Sequence, residues 1–170
     1  MQADEATSGP LAQENKVDAS ALQRGVPTFP GAKGDGKLTV ALVGGENSVT
    51  SIRATYPLKL MLLLPKGEAA KGAPGRRPDA AWIYMVGHGG GMVAGDVTRL
   101  QCEVMAGATA VLTTQASTKV FHCRRGGCAR QEMRCSVGAG ALLAMIADPV
   151  VPYQDSRFYQ RQTFRLAGGG

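Results

Sequence analysis

Several things are missing from this chain of 170 residues, and each absence narrows what it does. No apolar run approaches the roughly 18 residues that a membrane-spanning helix requires. The most apolar early stretch, Leu58 to Leu64, is interrupted by Lys59. The N-terminus lacks a basic segment followed by an apolar one, so no secretory leader is expected. It carries Asp4 and Glu5 instead, which argues against a transit peptide. Only four cysteines are present. In a chain of this length they do not make a disulfide scaffold, and a reducing, cytoplasmic setting is expected. No Gly-x-x-x-x-Gly-Lys phosphate loop occurs, so nucleotide binding by that motif is excluded. The formal net charge is +6, yet no run of Lys or Arg exceeds two. Dispersed charge of this kind does not make a nucleic-acid footprint, and a basic face for an acidic protein is equally compatible. Neither a nucleic-acid nor a membrane partner is expected.

What the chain does have is glycine, 23 residues of it, against nine aromatics. Many turns and many short strands follow from that balance. Residues 1–35 are polar and without periodicity, and read as a flexible N-terminal extension. From Lys37 onward Leu38, Val40 and Leu42 alternate with Lys37, Thr39 and Ala41, the pattern of a half-buried strand. Further strands are expected over residues 50–55, 58–64, 81–86, 99–104, 108–112, 118–122, 132–137, 141–146 and 158–166. Residues 65–79 hold three prolines and three glycines and read as a mobile loop, and 124–129 as a turn-rich one. Residues 36–170 thus form one β-rich domain. Within it Val104-x-x-Gly107-Ala108 recurs as Val137-x-x-Gly140-Ala141. Such a period is what stacked supersecondary units produce, although a β-sandwich gives similar spacings.

The densest signal lies between Gly87 and Lys119. Four of the five residues Gly87 to Gly91 are glycine, which fits a tight turn or a close backbone approach better than regular structure. Gly90-Gly91-Met92-Val93-Ala94-Gly95-Asp96 resembles the Gly-Gly-x-x-x-Gly-Asp signature of the urease accessory protein D family, also called H. Thr113-Thr114-Gln115-Ala116-Ser117-Thr118-Lys119-Val120 is similar to that family's second signature. Tyr56-Pro57-Leu58-Lys59 and the segment Leu143 to Phe158, with Asp148-Pro149 and Pro152-Tyr153, resemble two more of its stretches. The four lie in the family's order and cover roughly residues 36 to 166. The resemblance implies a mainly β, β-helix-like or stacked short-strand fold and a non-enzymatic scaffold. Such a scaffold binds apo-urease and recruits the F and G accessory proteins, and nickel ends in the urease active site. Members of that family are usually longer, so the resemblance is to an N-terminal portion truncated on its C-terminal side. No tightly bound cofactor is implied; nickel is the transported ion.

The candidate functional residues are therefore Gly90, Gly91, Gly95, Asp96, Thr113, Thr114, Gln115 and Lys119. Asp96 has two readings: a turn aspartate bonding its own backbone, or the family's motif carboxylate, a hard oxygen ligand that holds a divalent ion weakly in transit. His88 is a second candidate metal ligand, against the plainer reading of a solvated loop histidine. His88-Gly89-Gly90-Gly91 also matches the oxyanion-hole motif of some α/β-hydrolases, but no Gly-x-Ser-x-Gly elbow accompanies it and no βα alternation is visible. A small metal-binding hydrolase using His88, Asp96 and His122 is the competing reading. Cys102, Cys123, Cys128 and Cys135 are not spaced as a zinc site, and Cys102 and Cys135 fall on the apolar phase of their strands.

Overall fold

The computed structural model describes residues 33–63, 79–123 and 127–168. Strands β1 (Asp35–Val43) and β2 (Glu46–Ala54) form an antiparallel hairpin. Its two-residue loop is Gly44-Gly45, with φ of 60° and 83°. Two consecutive left-handed residues match the right-handed twist of the flanking strands, and glycine reaches that conformation without penalty. Strand β3 (Leu58–Leu63) pairs antiparallel with β4 (Ala81–Gly87).

After β4 the geometry changes. Strands β5 (Gly91–Met92), β6 (Val97–Val104), β7 (Thr109–Thr114), β8 (Thr118–Val120), β9 (Ala129–Val137), β10 (Leu142–Ile146), β11 (Val150–Pro152) and β12 (Phe158–Leu166) pair only in parallel with one another. Three sheets result, ordered β12-β9-β6-β1-β2, β10-β7-β4-β3 and β11-β8-β5. From β4 to β12 the chain visits the four-, the three- and the five-stranded sheet in turn, three times over. On each return the new strand lies beside the one laid down a round earlier. The fold is mainly β, with mixed sheets that do not close into a barrel.

The short internal repeat marks this return. Val104 and Val137 are direct neighbours in register between β6 and β9. Gly107 and Gly140, with φ of 71° and 63°, turn the two copies into β7 and β10. Gly107 N–H donates to Ala139 O at 2.9 Å, and Leu142 N–H to Ala108 O at 2.9 Å, so the corners stack as the strands do.

Inward-facing residues of successive rounds bury one another. Leu38, Ile83, Leu100, Cys102 and Leu112 are essentially inaccessible and join Val40, Val104 and Met133 in one core. A smaller cluster, Met92, Val120 and Ala129, fills the corner below the three-stranded sheet. Full burial of aliphatic side chains of this size contributes roughly 1.5–3 kcal/mol each.

Several sequence expectations need correction. β5 and β11 were not expected; at two and three residues they are too short to show a period. β2 begins at Glu46, because pairing with β1 through the hairpin extends it past the weakly patterned start. β8 ends at Val120, two residues before the expected limit. Ala129 opens β9 rather than closing a loop; β1 starts at Asp35. Residues 1–32, the loop up to residue 78 and residues 124–126 lie outside the described residues.

Two predictions follow from the stacking. A Cβ on Gly138 would meet the Ala106 backbone nitrogen at 2.5 Å and its Cα at 2.9 Å, whereas one on Gly87 would meet nothing within 4 Å. Gly138→Ala should therefore cost about 1–3 kcal/mol by forcing two corners apart, and Gly87→Ala well under that, as read by urea unfolding. Separately, β10, β11 and β12 each end their sheet, and Ile146, Phe164 and Leu166 there are 59%, 46% and 67% exposed. Unpaired edges with apolar side chains invite pairing. The chain should self-associate with rising concentration, and Phe164→Lys with Leu166→Lys should suppress this in sedimentation velocity.

Candidate functional site

The glycine run serves as both a turn and a close approach. β4 ends at Gly87, and a single 3-10 turn, His88–Gly90, leads into β5. Gly89 and Gly90 have φ of 82° and 71°, conformations that an L side chain resists. Gly91 is needed for a different reason. A Cβ there would meet the Lys119 carbonyl oxygen at 2.6 Å and the Phe121 ring at 2.6 Å. Gly91 is the register partner of Lys119. The first signature is thus packed directly on the second.

The second signature makes the corner between β7 and β8. Thr114 Oγ1 donates to Asp148 Oδ2 at 2.8 Å and accepts from the Asp148 N–H at 2.8 Å. Thr118 N–H donates to Pro149 O at 3.1 Å, and Thr113 Oγ1 donates to Ile146 O. The Asp148-Pro149 turn therefore seats on the threonine corner one round earlier.

These corners enclose a cavity of about 250 Å³. Gly90, Gly91 and Met92 line it from one signature, Gly87 from the end of β4, and Thr114, Gln115 and Ser117 from the other. A second cavity of about 200 Å³ lies against Met145, Asp148, Gln160 and Gln162. The two share Met85, Thr114, Thr118 and Gln131 as walls, so they adjoin.

Sequence reasoning missed three wall residues that the register brings into line. Thr98 on β6, Gln131 on β9 and Gln160 on β12 are direct neighbours across the sheet. Gln160 Nε2 donates to Gln131 Oε1 at 2.8 Å. Thr98 is 6% exposed, and its hydroxyl has no hydrogen-bond partner within the protein. A buried hydroxyl without a partner costs roughly 1–3 kcal/mol, so it is expected to bond whatever fills the cavity. The signal available in the sequence was a polar residue on the inward phase of Thr98, Leu100, Cys102 and Val104.

Asp96 is not a wall of either cavity. Its Oδ2 accepts from Val93 N–H at 2.9 Å, and its own N–H donates to Val93 O at 3.0 Å. Gly95, with φ of 91°, completes that turn, which is tied to the next round by Arg130 N–H to Asp96 O at 2.8 Å. Lys119 is exposed on β8. His88 is exposed against the Tyr56 ring, at 5.4 Å between centroids, and His122 Nδ1 lies 2.9 Å from Gln154 O. Among the described residues no three His, Cys, Asp or Glu side chains converge as a metal site. His88, Asp96 and His122 therefore do not form the cluster that the hydrolase reading requires. Cys102 and Cys135 are register neighbours and share a hydrogen bond. That bond, and then burial, push the Cys102 thiol well above its ordinary range, so it stays protonated.

The UreD urease accessory protein family model matches residues 32–170. The chain belongs to that family. It is 42% identical over 131 residues to urease accessory protein D of Arabidopsis thaliana, covering 77% of this chain and 42% of the relative. It is 41% identical over 136 residues to urease accessory protein UreD of an Anaeromyxobacter strain, covering 80% of this chain and 42% of that one. The rice protein of the indica subspecies is 38% identical, with 79% and 42% covered. The chain thus spans about two fifths of the length of these relatives. The family and these relatives are named as urease accessory proteins, which accords with a scaffold rather than a hydrolase. No helix among the described residues is long and apolar enough to cross a membrane.

The turn geometry gives a stability prediction for Asp96. Asp96→Asn keeps an oxygen that accepts from Val93 N–H and should cost a few tenths of a kcal/mol, whereas Asp96→Ala removes it and should cost about 0.5–1.5 kcal/mol in chemical denaturation.

Proposed function

We propose that this UreD chain acts in urease maturation as a cytoplasmic scaffold that binds apo-urease, recruits the F and G accessory proteins and assists nickel insertion. The observation that carries this reading is that both family signatures, on successive rounds of the chain, meet as walls of one cavity. The space between them is partly open and mostly apolar, with Thr98, Thr114, Gln115, Ser117 and Gln131 as its polar points. The second cavity prolongs the first along the stacking direction, with Thr98, Gln131 and Gln160 in a row. Neutral oxygen groups of this kind are poorer ligands for nickel than imidazole is, so such a wall would hold the ion only weakly. Nickel is in this reading the cargo, not a resident cofactor.

In this proposal Asp96 acts in one of two ways: as a weak ligand at the outside of that route, or as the residue that shapes the turn; His88, on the separate His88–Gly90 turn, is a second weak ligand. The cyclic winding of the three sheets reads as a β-helix-like solenoid, and residues 36–170 as one accessory domain with residues 1–35 as its extension.

The experiment is nickel-dependent activation of apo-urease co-expressed with the F and G proteins and this chain. The substitution Thr98→Val with Gln131→Leu removes two neighbouring polar groups of the wall at nearly constant volume. It should lower activation at least about tenfold, a barrier change of roughly 1.4 kcal/mol, while pull-down of urease and the thermal midpoint stay unchanged. Retained activation would refute the interior route. Asp96→Asn in the same assay separates the charge from the turn: activation lost with stability kept assigns the carboxylate to the cation, and activation kept assigns it to the turn.

A further inference from the structure

The charge of this protein is distributed unevenly, and the register shows how. On the outward phase of the five-stranded sheet, one row runs Asp35, Arg99, Glu132, Arg161 across β1, β6, β9 and β12. The next runs Arg53, Lys37, Gln101, Arg134. A third runs Thr39, Glu103, Ser136, Arg165, and Arg130 stands beside Tyr159 at the end of the face. Seven cations lie on this phase against four carboxylates, Glu46 beside Val43 at the hairpin end being the fourth and Asp35 being buried. The rest of the described residues carry four cations, Lys33, Lys59, Lys119 and Arg157, against four carboxylates. The excess positive charge of the described residues thus belongs to this one face.

Two of these carboxylates, Asp35 and Glu103, are held in ion pairs. Arg99 Nη1 lies 3.0 Å from Asp35 Oδ1, and Lys37 Nζ lies 3.6 Å from Glu103 Oε2. Gln101 Nε2 donates to Glu103 Oε1 at 2.9 Å. Glu132 sits in register between Arg99 and Arg161. Arg53, Arg130, Arg161 and Arg165 are exposed around this internally paired centre. Their guanidinium groups present planar, bidentate donors on strands about 4.8 Å apart.

We propose that the outward face of the five-stranded sheet is a docking surface for a protein that presents acidic side chains. Charge complementarity selects this occupant. A mixed face, with carboxylates set between the arginines, fits a folded acidic surface carrying a few cations of its own. It fits a nucleic acid poorly, because those carboxylates repel phosphates and Tyr159 alone is available for base stacking. The surface lies on the opposite side of the strands from Thr98, Gln131 and Gln160, so the inference holds whether or not the interior carries nickel.

The test measures binding of the 170-residue chain to fluorescently labelled poly-L-glutamate by anisotropy at low and physiological salt, with a 20-base-pair DNA duplex as the competing probe. Arg130→Glu, Arg161→Glu and Arg165→Glu together are compared with Lys33→Glu, Lys59→Glu and Arg157→Glu, which change the net charge equally elsewhere. The face variant should bind poly-L-glutamate at least about tenfold more weakly, and the control variant less than threefold more weakly. Equal losses would show that net charge alone acts and would overturn the proposal. Tighter, face-dependent binding of the duplex would overturn it in favour of a nucleic acid. Because Arg161 and Arg165 lie on the edge strand β12, the corresponding Arg→Gln set is measured in parallel, with circular dichroism confirming the fold. A loss in that set of the same sign and about half the logarithmic size supports the proposal, and no loss overturns it.

Discussion

Parallel register is the constraint on which the rest depends. In the second part of the chain each strand finds its hydrogen-bonding partner about thirty residues away, on the previous round. A one-residue slip would carry Leu100, Cys102 and Val104 to solvent and bring Arg99 and Glu103 into the core, so the inward row fixes the pairing. Corners have to stack wherever strands stack. That is why Gly138 lies against the Ala106 backbone and why Gly91 admits the Lys119 carbonyl.

The same register makes the interior change character along the strands. At the far end of β6 and β9 the inward pairs are Cys102 with Cys135 and Val104 with Val137, all buried. At the near end the inward pair is Thr98 with Gln131, and the core opens into cavities. One sheet therefore supplies both the apolar packing that holds the rounds together and the polar walls that give the molecule an interior. On its outer side, the alternate positions of the same strands collect the basic charge. Fold, cavity and charged face are three consequences of a period of two read along stacked strands.

Much of this was legible in the chain. Alternation at Leu38 to Leu42 and at Met133 to Val137 marked strands that the structure contains as β1 and β9. Glycine pairs marked turns, and the repeat Val104/Val137 marked a true neighbour relation. The short strands β5 and β11 escaped because two or three residues carry no periodicity and are held only by pairing with β8. The two signatures were visible as motifs, but nothing local said that Gly91 touches Lys119, that Thr114 bonds Asp148, or that Asp96 stands outside the cavity.

The sequence by itself determined which residues prefer strands, which must turn, and which family signatures the chain carries, because those properties reside in single residues and their near neighbours. The tertiary structure alone decided which inward positions meet. Thr98, Gln131 and Gln160 align only once β6, β9 and β12 lie in parallel register, and their alignment, not their identity, makes a polar wall. The same holds for the arginines of the outer face, which the sequence scatters and the stacked strands bring into rows. Long-range pairing is a property of the closed rounds as a whole, and no local segment encodes it.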